Sequence, residues 1–302
     1  MTDTRVQVEA AIDAGPRSTR AARRRLLQIS LLAPAVLLVA ACVVAPTLMA
    51  LVDSLKNAGQ WTLTNYATFA TRAPYPQVLT NTLVIAGLVT VITVVMTAPL
   101  SAFLATRDNR AAAIVLGLIA ASMWISILVK IYAWQVVLAR LGPLNYLLAS
   151  AGLASEPVPF LYTRGAVVLS MVQFLVPYAA MMMYAGMKRV DWDLIIASRT
   201  LGARTWTVFR QVYWPQVRFS VVTAGLVVFM VATSFYVAPA LLGGPREVMV
   251  GMQMHSDLVN RYDSGMAATT GVVLTALLLT VAWVTLRLAG VSFARAADEL
   301  AA

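Results

Sequence analysis

The chain has 302 residues, 60% of them hydrophobic and 12% charged, with a mean hydropathy of +0.77 and a formal net charge of +10. A soluble domain carries about 25% charged residues, so this composition excludes a soluble enzyme, a disordered chain and a disulfide scaffold, and leaves an all-α polytopic membrane protein. The positive charge, which in a soluble chain would suggest nucleic acid, here reads as basic cytoplasmic loops. The single Cys42 and single His255 exclude an internal disulfide and a cysteine- or histidine-built metal site within the chain.

Residues 1–25 form a polar tail with Gly15-Pro16 and an arginine cluster. Uncharged stretches of about 20 residues, the length that crosses a hydrocarbon core, then predict six helices at 26–51, 79–105, 112–139, 165–187, 219–241 and 266–288. In the first, Val39-Ala40-Ala41-Cys42 resembles a lipoprotein cleavage box. The apolar run continues through Leu48 and Leu51, beyond the roughly 7–15 residues of a signal-peptide core, so it reads as a span. An outer loop extends to 78. The third helix contains Lys130, and 141–155, with Gly142, Pro143, Asn145 and Gly152, reads as an interfacial helix or loop. Met181, Met182, Met183 and Met187 in the fourth read as packing material. The fifth carries Thr233, Ser234, Phe235, Tyr236 and Pro239 just before the Gly243-Gly244-Pro245 turn, and Pro239 is the expected kink. A short tail closes the chain at 291–302.

Lysine and arginine set the orientation. Arg5, Arg17, Arg20, Arg23, Arg24, Arg25, Arg107, Arg110, the six cations of 188–218, Arg287 and Arg295 fall on the side of the N-terminus. Only Lys56, Arg72, Arg140, Arg164, Arg246 and Arg261 fall on the other. Both termini are therefore expected in the cytoplasm. All acids lie outside the six expected helices, so no titratable proton relay is legible. Lys130 is the one charge within a span. It either snorkels toward the outer face or faces a water-filled pathway or a partner. Polar and aromatic groups clustered in a span tend to face an interior, which makes Lys130, Tyr132, Trp134, Tyr178, Thr233, Ser234, Phe235 and Tyr236 candidate pathway residues. No Gly-x-Ser-x-Gly, His-Glu-x-x-His or Walker A pattern is present, so no catalytic or metal residues are assigned.

The loop at 188–215 reads as two short helices broken at Gly202. Asp191 is the expected N-cap. Leu194, Ala197, Ser198 and Leu201 share one face, Trp206, Phe209, Val212 and Tyr213 form a second apolar stripe, and Pro215 is expected to end that helix. Leu201-Gly202-Ala203, followed by Phe209 and Pro215, resembles the loop signature of ABC transporter permeases of the binding-protein-dependent importer type. In that family the loop opens with Glu-Ala-Ala and forms the coupling helix that docks in a groove of the ATPase. Here the triplet aligns with Ile196-Ala197-Ser198; the glutamate is missing, and Asp193, one turn earlier, is the residue that could partly replace it. Trp61-Thr62-Leu63-Thr64-Asn65-Tyr66, Asn81-Thr82-Leu83, Pro99-Leu100, Tyr132-Ala133-Trp134, Phe235-Tyr236-Val237-Ala238-Pro239 and Gly265-Met266-Ala267 are similar to the spermidine/putrescine-type branch. The resemblance runs over about residues 26–290.

The resemblance implies a type I ABC importer permease fold in the cell inner (plasma) membrane, with a core at 79–290 and a peripheral first helix and loop at 26–78. It implies contact with the ATPase through Asp193, Ile196, Ala197, Ser198, Leu201, Gly202, Ala203, Phe209 and Pro215. The implied partners are a second homologous permease, a cytoplasmic ATPase dimer, a periplasmic or lipid-tethered binding protein and the surrounding lipid. ATP and Mg would be held by the ATPase, and this chain would bind no cofactor. The branch also includes importers similar to those for opines, phosphonates, thiamine and ferric ion. A stand-alone carrier or channel not driven by ATP is the alternative.

Overall fold

The computed structural model describes residues 17–57, 60–107 and 109–288. The first 16 residues of the expected basic tail, and all of the expected tail at 291–302, lie outside the described residues. In chain order the elements are α1 (Arg17–Ser54), β1 (Lys56–Asn57), β2 (Gln60–Trp61), α2 (Thr64–Thr71), α3 (Tyr75–Ala105), α4 (Arg110–Met123), α5 (Ile127–Leu138), α6 (Pro143–Ser150), α7 (Arg164–Met187), α8 (Trp192–Thr200), α9 (Thr205–Thr233), α10 (Val237–Leu242), α11 (Val250–His255) and α12 (Ser264–Leu288). The two short strands pair antiparallel, Lys56 with Trp61 and Asn57 with Gln60. Among the described residues, six stretches are long and apolar enough to cross a membrane: Leu37–Ser54, Tyr75–Ala105, Ile127–Ser150, Arg164–Met187, Thr205–Thr233 and Ser264–Leu288. The fold is the six-span helical membrane protein that the composition dictates.

The chain divides into one compact unit up to Asp53 and another from Ser54 onward. The first unit is α1. It begins at Arg17 rather than 26, because the arginines and alanines of 17–25 are strong helix formers. It also runs past 51, so Asp53 falls inside a span, against the expectation that every acid lies outside.

In the second unit α7 is the central helix. It packs against α3, α4, α5, α9 and α10. Its buried face, with Val167, Met171 and Leu175, meets Ile85 and Val89 of α3 and Val228 and Ala232 of α9 in one core. Lipid offers these helices no hydrophobic drive to associate, so close approach and polar contacts hold them together. Ser101 Oγ of α3 donates to the Ala180 carbonyl of α7 (3.0 Å). Thr97 Oγ1 donates to Met183 Sδ (3.4 Å). Of the four methionines expected to pack, Met183 and Met187 are buried in a second core, Met181 is half-buried and Met182 is exposed. Asn81 Nδ2 donates to the Val248 carbonyl, and Asn81 Oδ1 accepts from Arg164 Nη2, which fastens the start of α7 to α3. Local caps start the helices. Asn109 Oδ1 accepts from the Ala112 N–H for α4, and Thr163 Oγ1 from the Ala166 N–H for α7.

Three further expectations are corrected. The third span is not one helix over 112–139. It breaks at 124–126, and the membrane-length stretch is Ile127–Ser150. Here Ser122 Oγ donates to the Ile119 carbonyl, and the Trp124 and Ile125 N–H groups close tight turns onto Ala121 and Ser122, which winds the helix down. Second, Pro215 does not end a helix. The chain is helical through it because a wide π-turn at Phe209–Tyr213 directs the Trp214 N–H to the Phe209 carbonyl, and the proline follows where no donor is required. Third, the fifth span breaks at 234–236 and not at Pro239. Thr233 Oγ1 and Ser234 Oγ both donate to the Met230 carbonyl, while the Ser234 and Phe235 N–H groups drop to the Val231 and Ala232 carbonyls. Pro239 sits in the first turn of α10, where its missing N–H costs nothing.

Candidate functional site

Two regions hold most of the candidate residues. The first is α8 with the turn that follows it. Asp191 Oδ1 accepts from the Asp193 and Leu194 N–H groups and caps the helix as expected. Ile195 alone on α8 is buried, against Met183, Met187 and Val208, and it anchors the helix to the bundle. The opposite face is bare: Asp193, Leu194, Ile196 and Ala197 are exposed, and Leu201 is 87% exposed. Ser198 is half-buried, with its hydroxyl donated to the Ile195 carbonyl.

The stop is a Schellman motif. The Ala203 N–H reaches the Ser198 carbonyl and the Gly202 N–H reaches the Arg199 carbonyl, with Gly202 at φ +81°. Ala203 is half-buried. Beyond it Trp206 stacks on Phe209 with centroids 5.6 Å apart, and Phe209 leads on to Tyr213 at 5.9 Å. Phe209 therefore belongs to an exposed aromatic ladder beside the α8 face, and the exposed Pro215 lies in the following turn. α8 is a short helix pinned by one residue that presents leucine and isoleucine to the outside.

The second region is where two broken spans meet. Lys130 lies in the first turn of α5 and is 6% exposed. It does not snorkel. Its Nζ has no hydrogen-bond partner and stands 5.2 Å from the centre of the Phe174 ring of α7. Phe174 in turn contacts Tyr178 (5.5 Å) and, edge to face, Phe235 (5.3 Å) at the break after α9. Of the expected pathway residues, Lys130, Tyr178 and Phe235 thus gather on Phe174, which sequence reasoning missed because a lone phenylalanine in an apolar span carries no signal.

The others lie apart. Tyr132 is exposed on α5. Trp134 lines an apolar groove of about 740 Å³ with Met96, Leu118, Val172 and Pro177. Thr233 is buried with its hydroxyl turned to its own helix. Ser234 is exposed at the break, and Tyr236 packs on His255 of α11 with ring centroids 5.2 Å apart.

A third feature was not legible. Asp257 follows α11, fully buried, and accepts from Gln253 Nε2 (2.9 Å) and Arg261 Nη1 (3.1 Å). Arg261 also reaches Tyr75 Oη at the start of α3 (3.4 Å). Burial pushes the Asp257 carboxyl up from its ordinary value, while Gln253 and Arg261 pull it back. Its Oδ1 holds Gln253 and Arg261 in place, Arg261 links the segment to α3 through Tyr75, and its buried Oδ2 has no hydrogen-bond partner among the described residues.

Residues 97–295 match the family described as binding-protein-dependent transport system inner membrane component. The spermidine/putrescine transport system permease protein PotB of Haemophilus influenzae is 30% identical over 210 residues, which is 68% of this chain and 73% of that protein. PotB of Escherichia coli strain K12 is 28% identical over 212 residues, 69% of this chain and 77% of that protein. A chain from the crystal structure of a bacterial alginate ABC transporter superposes with a TM-score of 0.74 at 15% identity, over 89% of this chain and 96% of that one. At that identity the likeness is one of fold.

Proposed function

Since the chain belongs to the family of inner membrane components of binding-protein-dependent transport systems, and is a permease subunit of an ABC importer, we propose that it passes a small aliphatic amine of the polyamine type across the inner membrane by ATP-driven alternating access. The observation that carries this is the bare face of α8, anchored by Ile195 and stopped at Gly202. A separate cytoplasmic ATPase dimer, which holds ATP and Mg, docks there through Asp193, Ile196, Ala197, Ser198, Leu201 and the Phe209 ladder. The PotB names support the amine substrate, and the aromatic faces of Phe174, Tyr178 and Phe235 supply surfaces that attract an ammonium group. A second homologous permease and a periplasmic or lipid-tethered binding protein complete the assembly. Both termini face the cytoplasm, as the lysine and arginine bias directs.

Closure of the ATPase dimer would move α8 as a rigid body. That motion would reach the break at 234–236, where the backbone already lacks regular helical bonding and can bend at low cost. Ser234 is the exposed residue of this hinge. In the complete transporter, Ser234→Cys should react with a membrane-impermeant thiol reagent added from outside when ATP is trapped, and at least tenfold more slowly in the nucleotide-free state. Cys42 is first replaced by Ser so that the reading comes from one thiol. Equal labelling in the two states would remove the hinge from the pathway.

A further inference from the structure

Lys130 is a buried cation without an anion. A bundle that encloses an ammonium group ordinarily supplies a carboxylate or carbonyl to meet it. Here Nζ has no hydrogen-bond partner among the described residues, and the face of the Phe174 ring stands 5.2 Å away. Among the described residues from Ser54 onward, no span contains an aspartate or glutamate.

The local backbone adds to the same sign. Lys130 sits in the first turn of a 12-residue helix whose N-cap, Ser126, makes no side-chain cap. The first N–H groups of that turn have no acceptor within the helix, and the helix end carries partial positive charge. Side chains in a helix lean toward its N-terminus, which directs the lysine stem back over that end. In membrane transporters the N-terminal ends of broken helices face anionic groups of the substrate.

We propose that Lys130 holds a carboxylate of the transported solute at the start of α5, so that this importer prefers a small aliphatic amino-carboxylate to a bare diamine. This rests on the proposed import of an aliphatic amine and revises its class, from a polyamine-type solute to one that carries a carboxylate beside its amine. The amine end of such a solute lies against the Tyr178 and Phe235 rings, and its carboxylate supplies the hydrogen-bond partner that Nζ lacks. A diamine in the same place would bring a second cation to an uncompensated one.

The test uses the complete transporter, with both permeases, the ATPase and the binding protein, in proteoliposomes loaded for ATP-driven uptake. The probes are ω-amino-carboxylates of four to six carbons, such as 4-aminobutanoate, and the diamines of equal length. Uptake of an amino-carboxylate should exceed that of its diamine at least tenfold. Lys130→Gln should lower amino-carboxylate uptake at least tenfold and raise diamine uptake, and Lys130→Arg should restore the original preference. Equal loss of both solutes in Lys130→Gln would reduce Lys130 to a packing role and overturn the proposal. Diamine uptake without amino-carboxylate uptake would also overturn it while leaving amine import intact. Failure of both classes to move under ATP would instead bring down the import of an amine on which the proposal rests.

Discussion

Gly202→Val should abolish ATP-driven uptake, by more than tenfold, while the protein still inserts in the membrane at wild-type level. Gly202 ends α8 at φ +81°. A left-handed backbone costs an L-residue roughly 1–2 kcal/mol, and more for a β-branched side chain. No neighbouring atom lies within 4 Å of a Cβ placed there, so the cost is purely conformational. That makes the effect graded. Gly202→Asn should retain most uptake because asparagine tolerates this conformation, Gly202→Ala should be intermediate, and Gly202→Val should be worst. Without the turn, the bonds from Gly202 and Ala203 back to Arg199 and Ser198 are lost. The exposed Leu201 then no longer sits at a fixed angle to the Trp206–Phe209 ladder. Uptake, membrane abundance and ATP hydrolysis measured side by side check this, and normal uptake in Gly202→Val would contradict it.

Gly186→Ala should strip most of the folded protein from the membrane. Near the end of α7 the helix touches α9 so closely that a Cβ on Gly186 would overlap the Ser220 side chain. Overpacking of this kind costs about 1–3 kcal/mol, and here both helices belong to the central bundle and cannot slide apart without opening the core around Met183, Met187 and Val217. The overlap involves only the Oγ and Cβ of Ser220; its Cα lies at an ordinary 3.8 Å. Ser220→Gly should therefore rescue Gly186→Ala. Thermal unfolding followed in detergent should show a lowered Tm for the single variant and recovery in the double. A double variant as unstable as the single would show that the loss arises elsewhere.

The number of spans was legible because charge gaps report directly on lipid: five of the six expected stretches overlap a membrane-length helix along most of their length, and the third is displaced to Ile127–Ser150, which holds Lys130 and Arg140. The start and stop of α8 were legible for the same kind of reason. Asp191 and Gly202 are local devices whose chemistry involves only residues a few positions away. The breaks at 124–126 and 234–236 were not, since hydropathy is blind to a serine or threonine hydroxyl that takes a carbonyl from its own helix. Pro215 misled because its usual effect is removed by the π-turn before it, which no sequence period announces. Phe174 could not be found from sequence because its partners are distant along the chain, and the burial of Asp257 could not because the contact that ties Arg261 to α3 is equally distant, although Gln253 and Arg261 themselves lie one turn from Asp257. Phe174 meets Lys130 and Phe235, and Asp257 shares Arg261 with Tyr75.

Coupling to ATP is the claim on which the rest depends. It is tested most directly by uptake in cells or vesicles whose ATP supply and proton gradient are controlled separately. Solute accumulation should require ATP and should persist when an uncoupler collapses the proton gradient with ATP held constant. Accumulation that disappears with the gradient while ATP is maintained, or that proceeds without ATP, would contradict a permease driven through α8.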